Sequence, residues 1–130
     1  MYTKEIPKQI QISVPNYEDD EGRIIIFQYE KFIVVNVYSP NSGTNYNNKI
    51  LFQNALLEYI NTFIKNENGN NNEIFPVIYC GDFNMAIDTH FDKSKFPIGP
   101  GLYKHELEYY DILKQNGFID TISKKDKIVY

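Results

Sequence analysis

Residues 77–84 read Val-Ile-Tyr-Cys-Gly-Asp-Phe-Asn, an apolar run that ends in a glycine, a carboxylate and a carboxamide. If the run is a strand, its alternation turns Asp82 and Asn84 to one side and Phe83 back into protein. Asp82 can then move a proton, while Asn84 orients it or donates to a phosphate oxygen. A glycine just before the pair lets the backbone come close to a ligand. Together these groups suit phosphate chemistry. The same residue types also end strands as plain Asx turns, and that alternative stands beside the chemical one.

A second segment, residues 36–43, reads Asn-Val-Tyr-Ser-Pro-Asn-Ser-Gly. Again a strand closes on polar groups that face one way, Asn36 and Tyr38. The loop behind them offers Asn41, Ser42 and the backbone N–H of Gly43. A tyrosine hydroxyl is a neutral hydrogen-bond donor, so Tyr38 suits an anion and not the role of a base. An ordinary Pro-Asn turn with Tyr38 on its rim is the plainer account of the same residues.

These groups need elements to hold them. Residues 1–22 alternate Ile10 and Ile12 with Gln around Pro7 and Pro15, which fits irregular chain with one short edge strand. The acidic run Glu18–Glu21 then reads as a solvated loop. Arg23–Glu30 and Lys31–Tyr38 are rich in β-branched and aromatic residues and predict an antiparallel hairpin turning at Glu30–Lys31. Ile33, Val35 and Val37 share one face of the second strand, and Phe32, Val34, Asn36 and Tyr38 the other. Both faces are apolar along most of its length, which predicts cover on both sides.

Phe52, Leu56, Tyr59 and Phe63 recur at helical spacing and predict a helix over Tyr46–Lys65, capped by Asn45 and packed on the sheet. The asparagine-rich stretch 66–72 is a connector. Pro76–Cys80 predicts a central, buried strand. Tyr103–Asn116 predicts a helix with Leu107, Tyr110 and Leu113 inward and Gly117 just past its end. Phe118–Ile122 then reads as a strand or the start of one. Alternating strands and helices give an α/β class.

Composition bounds the partners. The chain has 130 residues, 42% hydrophobic and 23% charged, with a formal net charge of −4. That charge argues against a protein that coats nucleic acid through a basic face, but not against a nuclease, whose carboxylates are offset by a cation. The single cysteine, Cys80, excludes an intramolecular disulfide and a Cys-rich zinc site. No leader-like opening and no apolar run of membrane-spanning length is seen. The expectation is an intracellular monomer with no membrane partner.

Taken in order, Glu21-Gly-Arg-Ile-Ile-Ile26, Asn36-Val-Tyr-Ser-Pro-Asn-Ser-Gly43, Tyr79-Cys-Gly-Asp-Phe-Asn-Met-Ala86 and Gly117-Phe-Ile-Asp-Thr121 resemble the AP endonucleases of the exonuclease III type, within the endonuclease/exonuclease/phosphatase superfamily. The resemblance spans roughly residues 20–125 and rests on the ordered set rather than on any one motif. It implies part of a four-layered αββα sandwich, two packed sheets flanked by helices, with residues 1–130 forming the central portion of one domain. It also implies Mg²⁺-dependent hydrolysis of the DNA phosphodiester at abasic sites in base excision repair, with Mn²⁺ as a possible substitute. The partner would be double-stranded DNA, in the nucleus or a DNA-containing organelle. Asp82 would transfer a proton near the attacking water or the leaving oxygen. Asn84 would hold that water or the phosphate, and Asp82 and Asn84 would share in metal binding. Tyr38 and Asn41 would contact the scissile phosphate.

The departures are equally informative. The family's early Asn and metal-binding Glu, and its terminal Ser-Asp-His segment, have no counterpart among these residues. His90 and His105 read as surface residues, Asp88 and Asp92 as solvated loop carboxylates, and Lys124, Lys125 and Lys127 as solvent-facing. Cys80 reads as a small buried apolar residue. Two other readings remain: a superfamily phosphodiesterase acting on a phospholipid or inositol phosphate, and a non-catalytic remnant. The chain alone is expected to be inactive.

Overall fold

A computed structural model describes residues 3–65, 75–86 and 98–121. The element order is β1 (Gln9–Gln11), β2 (Ile24–Gln28), β3 (Ile33–Tyr38), α1 (Tyr46–Lys65), β4 (Val77–Asp82) and α2 (Lys104–Gln115). The chain divides into two compact units, Met1–Asn84 and Met85–Tyr130.

The first unit is built on a four-stranded sheet in the order β1-β2-β3-β4. β1, β2 and β3 are antiparallel neighbours, and β4 joins β3 in parallel after the α1 crossover. The hairpin turns where its sequence predicts: the Tyr29 N–H donates to the Phe32 carbonyl at 2.9 Å, around Glu30–Lys31. β1 is the short edge strand expected near Ile10. The acidic run, in contrast, is not merely solvated. The Asp19 carboxylate accepts the N–H groups of Arg23 (2.7 Å) and Ile24 (3.0 Å), so it caps the start of β2.

One sheet face is the core. Ile24, Ile26, Ile33, Val35 and Val37 lie there, none more than 2% exposed. α1 covers this face: Tyr59 donates to Gln11, whose register partner is Ile26, and the Tyr17 ring meets Phe52 edge-on at 5.2 Å. The helix buries Lys49, Phe52, Gln53, Ala55, Leu56 and Ile60. Tyr59 and Phe63, expected on that stripe, are only half-buried and pack on each other at its side. Asn45 caps the helix as predicted, accepting the Asn48 N–H at 3.0 Å.

The other sheet face departs from expectation. Val34 and Asn36 are half-buried and Tyr38 is 56% exposed, so β3 is fully covered on one side only. β4 is not central: it is the edge of the described sheet, runs on to Asp82, and leaves Ile78 53% exposed. Apolar composition alone does not distinguish a central strand from an edge strand whose outer face lacks cover.

In the second unit α2 begins at Lys104, with the Tyr103 N–H donating to the Glu106 carboxylate at 2.8 Å. Its buried residues are Glu106, Tyr109 and Leu113 rather than Leu107, Tyr110 and Leu113. Tyr110 stays at the boundary because its hydroxyl donates to Asp120 and Lys114 sits over its ring. Gly117 ends the helix at φ +90°, and the Phe118 N–H returns to the Leu113 carbonyl at 3.1 Å. Residues 118–121 form no strand, and Ile122 lies outside the described residues. His105 is not a bland surface residue. It is half-buried and its ring stacks on Tyr103. No described helix is long and apolar enough to cross a membrane.

Candidate active site

Parallel pairing of β3 and β4 makes Tyr38 the register partner of Asp82. Register partners project to the same side of a sheet, which brings Tyr38 and Asp82 to the carboxyl ends of adjacent strands on one face. Both are exposed. They occupy the face opposite the Ile33–Val35–Val37 core, at an end that is open to solvent although Phe27 on the same face is buried.

Gly81 makes this juxtaposition possible, for a reason other than the one its sequence suggests. It sits at φ +124°, and a Cβ there would lie 2.0 Å from the carbonyl oxygen of Val37. The glycine admits the backbone of β3. β4 can then stay in register through its last residue, Asp82.

Asn84 does not continue the strand alternation. It lies two residues past the end of β4 in a left-handed conformation, φ +46°. Its N–H donates to Asp82 Oδ1 at 2.8 Å, and its carboxamide Nδ2 donates to the Ser39 carbonyl at 2.8 Å. The Ser39 N–H in turn donates to the Asp82 carbonyl at 2.8 Å. The Asx turn and the polar site, alternatives in sequence, are therefore both present. Asn84 ties the two loops together and fixes one oxygen of Asp82. Asp82 Oδ2 accepts no hydrogen bond among the described residues.

Asn41 is exposed in the loop after β3 and is largely occupied with holding that loop. Its Oδ1 accepts the Gly43 N–H at 2.8 Å, and its carbonyl accepts from the Thr44 hydroxyl at 3.0 Å. Asn36 lies on the Tyr38 face beside its register partner Cys80, whose Sγ is 3.7 Å from Asn36 Oδ1. Cys80 is half-buried rather than buried, and partial burial pushes its thiol pKa up.

The sequence reading passes over two contributors. Arg23 stacks its guanidinium over the Tyr38 ring, 5.0 Å from the centroid, donates to the Tyr38 carbonyl at 3.1 Å and pairs with Glu21. Lys49 is fully buried, and its Nζ donates to the carbonyls of Phe83 (2.7 Å) and Asn84 (2.9 Å). Its signal was a charged residue on the apolar stripe of α1, three positions before Phe52. His90, Asp88, Asp92, Lys124, Lys125 and Lys127 lie outside the described residues. Among the described residues, no group of three or more His, Cys, Asp or Glu is placed to hold a metal ion.

The chain has counterparts in sequence. The chain is 31% identical to Recombination repair protein 1 of Drosophila melanogaster over 128 residues, 93% of this chain and 18% of that protein. It is 30% identical to an exodeoxyribonuclease of Bacillus subtilis over 128 residues, 93% of this chain and 47% of the relative. A DNA-(apurinic or apyrimidinic site) endonuclease of Plasmodium berghei is 40% identical over 75 residues, 55% of this chain and 13% of that protein. The chain is a relative of the exonuclease III-type nucleases.

In structure, the 3′-5′ exonuclease NExo of Neisseria meningitidis superposes with a TM-score of 0.67 at 20% identity, over 85% of this chain and 43% of that one. A 3′ phosphatase form of NExo bound to a product DNA hairpin matches equally well, at a TM-score of 0.67 and 19% identity, over 86% of this chain and 44% of that one. The fold is thus that of the exonuclease/phosphatase group, in part. No protein-family model matches the chain. The chain spans less than half the length of these exonuclease III-type relatives.

Proposed function

We propose that this chain is the portion of an AP endonuclease that carries the phosphate-facing Tyr38 and the proton-transferring Asp82. The whole domain hydrolyses the DNA phosphodiester at abasic sites. One observation carries the reading: the phenol and carboxylate are register partners on the exposed sheet face of a chain whose relatives are named as DNA nucleases. The Tyr38 hydroxyl donates to a non-bridging phosphate oxygen as charge develops there. Asp82, with Oδ1 held by Asn84, uses Oδ2 to take a proton from the attacking water or to give one to the leaving oxygen. Asn41 offers its carboxamide N–H to the same phosphate, and Asn84 braces the floor between the two loops.

A Mg²⁺ ion demands near-octahedral oxygen ligands. The described residues do not supply them: Asp82 is the lone carboxylate ending β4, and the Asn84 Nδ2 is turned to Ser39. Magnesium, or manganese in its place, therefore needs ligands beyond this set. We expect the isolated 130-residue chain to be inactive. The nuclease would work as a monomer on double-stranded DNA, in the nucleus or a DNA-containing organelle.

The test is incision of a duplex containing one abasic analogue, with Mg²⁺. The chain alone would be compared with a version completed at both ends from a relative. Cutting only by the completed protein is expected. Robust cutting by the bare chain would overturn the view that it lacks essential groups. A completed protein that ignores DNA but cleaves a phospholipid or inositol phosphodiester would overturn the substrate assignment.

A further inference from the structure

We propose that Lys49 is a positioning residue for Asp82: a buried ammonium on α1 that fixes the backbone just after the carboxylate and thereby sets where the carboxylate stands. The proposal rests on the reading of Asp82 as the proton-transferring group.

Lys49 occupies a place on α1 where the spacing to Phe52, Gln53, Leu56 and Ile60 calls for an apolar residue, and it is 0% exposed. Lysine is almost never fully buried without polar partners, because leaving water strongly disfavours the charged form. Its partners include two consecutive carbonyls, Phe83 at 2.7 Å and Asn84 at 2.9 Å. Both residues lie past the end of β4, outside its ladder with β3. The preceding carbonyl, that of Asp82, accepts from the Ser39 N–H. Three successive carbonyls are thus held from two other parts of the chain, the loop after β3 and the helix α1.

The chain of contacts leads to the carboxylate. Lys49 holds the Asn84 carbonyl. Asn84, kept at φ +46°, directs its own N–H onto Asp82 Oδ1 at 2.8 Å. The backbone that turns at Asn84 therefore fixes one oxygen of Asp82, which leaves Oδ2 to face the phosphate. An ammonium suits this task because its three donors can diverge to separate carbonyls. An apolar residue of equal length would fill the same space and leave both carbonyls without this donor.

The experiment uses Lys49→Met, which keeps length and burial while removing the donors. In the completed protein, kcat for abasic-site incision should fall about a hundredfold with KM within about threefold, the mark of a misplaced catalytic group. Rates are read well below the melting temperature of both proteins. In the 130-residue chain, the Asn84 amide should shift and exchange faster, while amides of Val35 and Ile60 stay unchanged. If Lys49→Met leaves kcat or the Asn84 amide at wild-type values, the proposal is overturned. Should Lys49→Met fail to fold, Lys49→Arg and Lys49→Gln retain donors and replace it. Across them kcat should follow the Asn84 amide, and a rate that does not follow it overturns the proposal. If the completed wild type cuts no DNA, the assignment of Asp82 fails separately, and the Asn84 amide still decides whether Lys49 sets this loop.

Discussion

The two faces of the sheet divide the work of the molecule. On one, Ile24, Ile26, Ile33, Val35 and Val37 are sealed from water beneath α1. On the other, Tyr38, Ile78 and Ile10 are each more than half exposed, and the polar residues gather at the carboxyl end of β3 and β4. Alternation along single strands feeds both, so neighbouring residues serve opposite purposes: Val37 holds the fold and Tyr38 faces solvent beside Asp82. A substitution on the first face should therefore act on stability, and one at the polar end of the second on chemistry.

The largest separation is expected at Asp82. Asp82→Asn in a completed domain keeps an acceptor for the Asn84 N–H but cannot transfer the proton. Incision should drop about 10³-fold, with a denaturant midpoint close to wild type. A parallel loss of stability would show that the carboxylate belongs to the scaffold. The reverse is expected at Leu56, which is 0% exposed beneath the other face. Leu56→Ala should destabilise by about 3 kcal/mol in urea melts, with kcat preserved wherever the protein stays folded.

Gly81 links the two faces. Gly81→Ala would press a methyl group into the β3 backbone at Val37, at a φ that alanine resists. Destabilisation of about 2 kcal/mol is expected, accompanied by loss of incision as β4 shifts away from Tyr38. Preserved activity would mean that the Tyr38–Asp82 register tolerates slippage. The smallest effect should fall at Ile78. Ile78→Thr, on the exposed face away from the polar end, should change stability by no more than about 0.5 kcal/mol. A larger loss would reveal that this face is covered.

Much of this was legible in the sequence because it is periodic and local. The hairpin turn at Glu30–Lys31, the extent of α1 and its Asn45 cap, and the Gly117 stop each depend on neighbours a few residues apart. What was not legible depends on distant partners. Asp19 looked like one of four solvated acids until Arg23 and Ile24 turned their N–H groups to it. On α2 Leu113 is buried as read, but Leu107 and Tyr110 were each taken one residue off because Glu106 takes an inward place that polarity alone would deny it. Asn84 was read as a continuation of the strand, whereas the Ser39 carbonyl and Lys49 bend it out of β4. The candidate residues were found by type and order. Their mutual geometry came from the β3–β4 register, which no local pattern encodes.

That register also sets a timetable for folding. Gln28 and Ile33 pair across a tight turn, whereas Ile33 and Val77 pair only after all of α1 and the segment beyond it have been gathered in. Closing the longer loop costs more chain entropy, so the hairpin is expected to form early and the parallel pair late. Tyr38 would then wait, already ordered at the end of the hairpin, for Asp82 to arrive. The Tyr38–Asp82 pair would be among the last features to assemble and among the first to come apart.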